Sequence, residues 1–550
     1  MKKLLSVALV LIMMLSVFTV TASAEAIVVG YYDTEIDDLY YWLYEDDGVT
    51  EAYVVGYEAD TFNPAPAGAI TVPDTITYQG DEYTVTGIES MAFYQCLFTS
   101  ITLPDTIKYI GEAAFSTSDY LENVIVPDEC YFDYFGGSVF SATPFEAEIY
   151  SKDETIFGKN VLYSYIGNAD EYVIPEEINI LANNCFFMSG VKSVVINSNI
   201  TEIPFCAFAS CRNLTSIDIP DSVDSIYDGA FKDCSSLETV TLGEGVAYIG
   251  LDSFANTKIK SIHLGQAVYS ITGAFRNCNA LETITIDPAN TALKTDGNAV
   301  YLKTNYVLDI SMELGYMLEY YIPSKAQGTV QLLSDVYMIN SYAFYGCKDL
   351  KEVKAGTLVA IDVAAFANSG IEKLSATALM FVYDSAFKNC KNLTDITLDS
   401  VVYFGSGAFE NCTSLTDVTF SSSVYEIGGK AFANTGLTDI VIYGEDCYVG
   451  EGAFMNCQSL ETVRLEEGVS YVGMNAFLNC SKLGSIYLSK TVNEFEENAF
   501  NGCDNVTFQL IKNTKAYKYI KNNTDFNFEI VGRYTLWQRI LDFFRLLFNR

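Results

Sequence analysis

Short runs along most of the chain alternate apolar, polar, apolar: TSITL (99–103), TSIDI (215–219), ETVTL (238–242), KSIHL (260–264), TDITL (394–398), TDVTF (416–420) and ETVRL (461–465). Period-two alternation over so few residues predicts a short strand with one side buried and one exposed. Each run is followed by a second apolar group that most often ends in Ala-Phe, as in VDSIYDGAF (223–231). There the Ala and Phe are expected to face inward from a tight turn or short helical segment. The phenylalanine recurs at 93, 115, 140, 186, 208, 231, 254 and 275, then at 344, 366, 387, 409, 432, 454, 477 and 500, mostly 21 to 23 residues apart. One such unit cannot bury its own apolar face, so successive units must stack. The pattern predicts a repeat solenoid with a parallel β-sheet along one side and turns or short helical segments on the other.

Two intervals break the period. Residues 141–180 and 287–335 hold alternating runs around Gly and Asn-Gly-type turns, which read as inserted hairpins. Residues 25–80 read as a β-hairpin cap on the first coil, the repeats as 81–509, and 510–533 as a cap on the last. A bare terminal coil would otherwise expose core and an unpaired strand edge.

The units IPDSVDSIYDGAFKDCSSLETVTL (219–242) and LEEGVSYVGMNAFLNCSKLGSIYL (465–488) closely resemble the leucine-rich repeat of BspA-like surface proteins, and GKNVLYSYIG and DGNAVYLKTNYVLDI resemble that family's inserts. The resemblance implies a leucine-rich-repeat solenoid on a secreted or surface-displayed protein. It also implies a non-enzymatic role in binding a host or cell-surface protein, without naming the ligand. Two other readings stay open: a carbohydrate-binding or glycoside-processing surface protein that uses the insert hairpins, and a structural spacer or assembly element.

The first residues, MKKLLSVALVLIMMLSVFTVTASAEA, carry two lysines, an apolar run and Ala22-Ser23-Ala24. This is the pattern of a secretory signal peptide over 1–24, so the chain is expected outside the cell. A net charge of −38 repels phosphate backbones and argues against a nucleic-acid partner. His263 is the single histidine, which leaves little room for Ser-His-Asp, Cys-His or histidine-zinc chemistry, and no C-x-x-C pair suggests a cysteine zinc site. No cofactor, metal or catalytic residue is predicted. The acidic groups EIDD (35–38) and EDDG (45–48) lack the spacing of a calcium loop and read as solvated turns.

The outward strand positions form the candidate partner-binding face: Asp218, Thr241, His263, Thr285, Thr397, Thr419, Arg464 and Tyr487. Half of them are Thr, with no aromatic ladder and no Arg cluster. In the tail YTLWQRILDFFRLLFNR (534–550), Trp537, Ile540, Phe543, Phe544 and Leu547 suit one amphipathic helical face, a candidate membrane or envelope attachment.

A cysteine stands three residues after the phenylalanine in ten units, and Ser or Thr stands there in the other six. Thiolate chemistry would not survive that exchange, so these cysteines are predicted to be free, buried thiols that satisfy local backbone where the coil turns. Stacked copies about 4.8 Å apart are also poorly placed for disulfides.

Overall fold

The structure is a computed structural model that describes residues 34–36, 39–46, 49–56, 68–303, 315–523 apart from Glu445 and Glu497, and 526–533. The predicted signal peptide and the tail 534–550, with Trp537, Ile540, Phe543, Phe544 and Leu547, lie outside these residues. The chain forms two compact units, 1–291 and 292–550. Both are leucine-rich-repeat solenoids of stacked coils.

The first unit opens on an antiparallel hairpin, Leu39–Asp46 with Val49–Gly56, whose register sets Tyr41 opposite Val54 and Leu43 opposite Ala52. These four side chains are buried, so the hairpin supplies the apolar cover that the first coil needs. The predicted alternating runs form a parallel ladder: Gly68–Thr71, Phe98–Thr102 and Asn123–Ile125, then Glu171–Val173, Ser193–Val195, Ser216–Asp218 and Thr239–Thr241. Pairing stops after Thr241 and resumes between Ser261–Leu264 and Thr283–Ile286.

In the second unit an equivalent ladder runs through Gly328–Gln331, Leu350–Lys354, Lys373–Ser375 and Asp395–Ile396, then from Asp439–Ile442 to Asn527–Arg533. No strand forms at 415–420. Where the flanking coils place Leu398 and Ile442, this coil buries Phe420, whose ring packs on Phe404, Phe432 and Phe454.

The opposite side carries more than the expected turns or short helical segments. A second parallel ladder is built from strands mostly two residues long, such as Tyr109–Ile110, Ser225–Ile226 and Tyr248–Ile249 in the first unit. In the second unit it is an eleven-stranded sheet that includes Phe381–Val382, Tyr403–Phe404, Glu426–Ile427, Cys447–Val449 and Val469–Val472. Both inserted hairpins belong to this ladder. Val161–Tyr165 pairs back on Glu154–Phe157 and forward on Ile180–Leu181, and Tyr316–Tyr321 pairs back on Ala299–Lys303 and forward on Val336–Ile339.

After the second ladder each coil turns sharply, without helix, through two left-handed residues four apart. Ser385 and Asn389 have φ +57° and +63°, Lys430 and Asn434 +58° and +59°, and Asn475 and Asn479 +59° and +61°. Asn tolerates this region better than most residues, and here it gains a second interaction. The amide of Asn389 donates to Asn368 at 2.9 Å, Asn411 to Asn389 at 2.8 Å, and Asn434 to Asn411 at 2.9 Å. Asn411→Val, which is β-branched at φ +65° and breaks both rungs, is expected to cost about 2 kcal/mol in denaturant unfolding. Asn411→Gly, which keeps the backbone freedom, should cost less than half of that. Equal losses would refute the left-handed explanation.

The core is a stack of phenyl rings. Phe208–Phe231 and Phe231–Phe254 lie 5.0 and 5.2 Å apart and within 3° of parallel, and Phe366–Phe387 and Phe387–Phe409 repeat the 5.0 Å spacing. The inserts substitute tyrosine for the missing rings: Tyr165 packs on Phe186 at 5.5 Å, and Tyr321 stacks on Phe344 at 4.9 Å.

Candidate interaction faces

On the first ladder the predicted outward residues are exposed at Asp218, Thr241, His263, Thr285, Thr397, Thr419 and Arg464, with Tyr487 partly covered. Register brings some of them together. Asp218 lies beside Thr241, and His263 beside Thr285, whose hydroxyl sits 2.9 Å from the imidazole Nδ1. Arg464 lies beside Tyr487, with the guanidinium 4.4 Å from the ring centre. The same Arg464 holds Glu466 through Nε at 2.8 Å and Nη2 at 2.6 Å. Thr397 falls just past its strand, and Thr419 sits in the segment that forms none.

Charges at the edge of this face are paired from coil to coil. Lys192 meets Asp170, Lys260 meets Glu238, and Lys373 meets Asp395, each at 2.6 Å. Such exposed pairs add little stability, but they leave the ribbon nearly neutral where they occur.

The second ladder presents a different surface, which sequence reasoning missed. Its outward positions and their immediate neighbours carry tyrosine in coil after coil. In the first unit Tyr109 stacks on Tyr134 at 4.9 Å, while Tyr227, Tyr248 and Tyr269 follow one another at 6.0 and 6.2 Å. In the second, Tyr383, Tyr403 and Tyr425 are spaced at 5.7 and 5.8 Å, and Tyr448 stacks on Tyr471 at 4.5 Å. Tyr134, Tyr269, Tyr425 and Tyr448 are each 40% or more exposed.

Carboxylates lie between these rings. Tyr227 donates to Glu202 and Tyr248 to Asp228, both at 3.4 Å, and Tyr471 donates to Glu496 at 2.9 Å. Burial, then the charge of Asp384, pushes the Glu426 carboxyl above its usual range, and burial with Asp224 does the same to Glu202. The signal that could have found this face is the residue before or after the inward Ile, Val or Phe in YIG, IYD, VYD, YFG and YVG.

All fourteen cysteines are unpaired, and all but Cys206 are buried. Their role differs in one respect from the expectation. The thiols of Cys211, Cys234, Cys278, Cys390, Cys412, Cys457, Cys480 and Cys503 donate at 2.9–3.2 Å to the phenylalanine carbonyl of the preceding coil, not to local backbone. The hydroxyls of Thr257 and Thr435 do stay local, bonding the phenylalanine carbonyl of their own coil at 2.8 Å. Burial pushes Cys278 up to about 11 and Cys347, Cys390 and Cys447 up to about 12, so none of these four is a thiolate nucleophile near neutrality. A thiol reagent is expected to modify Cys206 at most in the native chain, and all fourteen cysteines once the unreduced protein is unfolded. A titre well below fourteen would mean disulfides.

Beside the first insert lies a small polar pocket lined by residues that include Glu146, Tyr150, Tyr163 and Asn183. It holds one carboxylate, Glu146, raised by burial and approached by the Tyr163 hydroxyl at 3.4 Å. Paired-carboxylate glycoside chemistry needs a second. Among the described residues no three His, Cys, Asp or Glu side chains are grouped to hold a metal ion, and no helix is long and apolar enough to cross a membrane. The acidic runs EIDD and EDDG fall largely outside the described side chains.

Among solved structures, the chain is similar to a leucine rich cell surface protein of Faecalibacterium prausnitzii, at 23% identity and TM-score 0.33, covering 93% of this chain and 97% of that one. It is also similar to the pneumococcal vaccine antigen PcpA, at 16% identity and TM-score 0.36, covering 92% and 100%. A leucine-rich repeat protein of Eubacterium ventriosum matches at 23% identity and TM-score 0.45, covering 62% and 90%. No curated protein matches the chain. The BspA type leucine rich repeat region matches in six overlapping copies, over 86–213, 155–282, 201–305, 324–438, 381–507 and 425–528. With those matches spanning most of its length, the chain belongs to the BspA-type leucine-rich repeat family.

Proposed function

We propose that this is an exported protein-binding module that acts as an adhesin at or outside the cell surface. The carrying observation is that BspA-type repeats occupy most of the chain and turn two long-running ladders outward. Solenoids of this kind bind through many modest contacts along a sheet face, not in one deep pocket. The cell-surface and vaccine-antigen descriptions of structural neighbours accord with that placement. Export would make Glu25 the first residue of the mature protein, and the tail 534–550 would retain it at the envelope through Trp537, Ile540, Phe543, Phe544 and Leu547.

The test is binding of the immobilised mature chain to host matrix proteins and to cell-wall material. Saturable binding to at least one protein supports the reading. Reproducible absence of any protein partner overturns it and leaves the spacer role. Retention unchanged after deletion of 534–550 would remove the anchoring part alone.

A further inference from the structure

The two outward faces differ in chemistry, and the difference points to a partner. On the first ladder, cations and carboxylates neutralise one another from coil to coil. On the second, the charged groups that reach Tyr109, Tyr134, Tyr227, Tyr403 and Tyr425 are carboxylates: Glu89, Glu112, Glu202, Asp224, Asp384 and Glu426. Like charges crowd there, and an arriving cation would relieve that repulsion.

The molecule contains its own example of how such a site holds a cation. Arg464 lies 4.4 Å over Tyr487 while its guanidinium bonds Glu466. Lys294 likewise lies over the Tyr316 ring. A tyrosine face with a neighbouring carboxylate combines ring and ionic attraction for a guanidinium. The second ladder repeats this pairing at Tyr227 with Glu202, at Tyr248 with Asp228, and at Tyr425 with Glu426.

Spacing favours an extended chain over a sugar. Ring centres at 5.7 to 6.2 Å approach the roughly 6.6 Å between same-face side chains of an extended strand. In the closest pairs, at 4.5 and 4.9 Å and within 17° of parallel, each ring covers its neighbour's face. That leaves less flat surface for a pyranose to stack on.

We propose that the outer face of the second ladder is the docking surface for an extended, arginine- and lysine-rich polypeptide segment, whose cations settle between successive tyrosines and their carboxylates. This rests on the protein-binding reading and names the chemistry of its partner. The segment runs along the ladder, with alternate residues facing the rungs.

The test compares two double variants of the full chain, each losing one tyrosine and one negative charge. Tyr425→Ser with Glu426→Gln alters the second ladder, and Tyr487→Ser with Asp395→Asn alters the first. Calorimetry at physiological salt measures binding of an oligo-arginine peptide and of a neutral oligosaccharide. The second-ladder variant is expected to lose about tenfold in peptide affinity, while the first-ladder variant stays within about twofold of the parent. Equal losses would reduce the interaction to bulk charge, and a larger loss in the first-ladder variant would move the site; either overturns the proposal. So would oligosaccharide binding that the second-ladder variant abolishes while peptide affinity is unchanged. Unfolding midpoints check that both variants fold, and Glu426→Gln alone replaces the pair if they do not. Matrix-protein binding that is indifferent to Tyr425 and Glu426 sinks the docking surface and leaves the adhesion reading standing. Peptide binding that depends on them, without any matrix partner, does the reverse.

Discussion

Phe409→Ala is expected to destabilise the second unit by about 4 kcal/mol. The ring is fully buried and stacked at 5.0 Å on both Phe387 and Phe432, with interplanar angles of 6° and 10°. Its removal opens a gap between two rings that the backbone holds in place, because Phe387 N–H donates to Ala408 O, and Phe409 N–H to Ala431 O. The walls cannot collapse without breaking those bonds, so the cavity cost adds to the lost burial. In a solenoid the damage should be local, and it is best read as hydrogen-exchange protection lost across neighbouring coils. Tyr425→Ala, at a 45% exposed ring on the outer face, is expected to cost under about 1 kcal/mol. Comparable losses at the two positions would mean that the phenyl stack is not the main support of the coil.

A loss of stability between about pH 10 and 12 is the second large effect, and it arises on the tyrosine ladder. Burial first, then neighbouring carboxylates, pushes Tyr134, Tyr248, Tyr383 and Tyr403 up to about 12. In the unfolded chain these phenols ionise near the ordinary value of about 10. Between the two values the folded chain holds protons that the unfolded chain has released. Stability therefore falls as pH rises through this window and is undiminished below it. Each ring is only about half buried, so its individual contribution is well below the full linkage value, and the effect comes from their number. Tyrosinate absorbance should appear near pH 10 in denaturant and more than about one unit later in the native chain. Coincident titrations would show that the ladder does not shield its phenols.

The coil was readable because its signals repeat. Phenylalanine every 21 to 23 residues and the alternation of TVTL or SIHL are strong patterns, and the alternation matches the observed strands Thr239–Thr241 and Ser261–Leu264. The second ladder was not readable. A strand of two residues, such as Tyr248–Ile249, has no room to show alternation, and its Tyr looks like a loop residue. The cysteine was half readable. Exchange with Ser and Thr excluded thiolate chemistry, but whether the thiol bonds its own coil or the previous one depends on stacking geometry that a single unit does not encode. Similarly, KNVLYSY and GYMLEYY showed hairpin character, while their tyrosines' places in the phenyl stack follow only from the fold.

The eight thiol bonds to phenylalanine carbonyls all run one way, from a coil back to the one before it. Coils that carry this cysteine are thus joined head to tail, and where two of them follow one another each offers its successor the same kind of acceptor that its own thiol uses. Excision of 388–409 would join Phe387 directly to Glu410 and bring the Cys412 thiol onto a phenylalanine carbonyl equivalent to its present one, that of Phe366 in place of Phe387. Whole-coil loss or duplication is then a near-neutral change of length, whereas an indel of a few residues breaks the match. Such a chain can lengthen or shorten its reach by recombination between its own repeats.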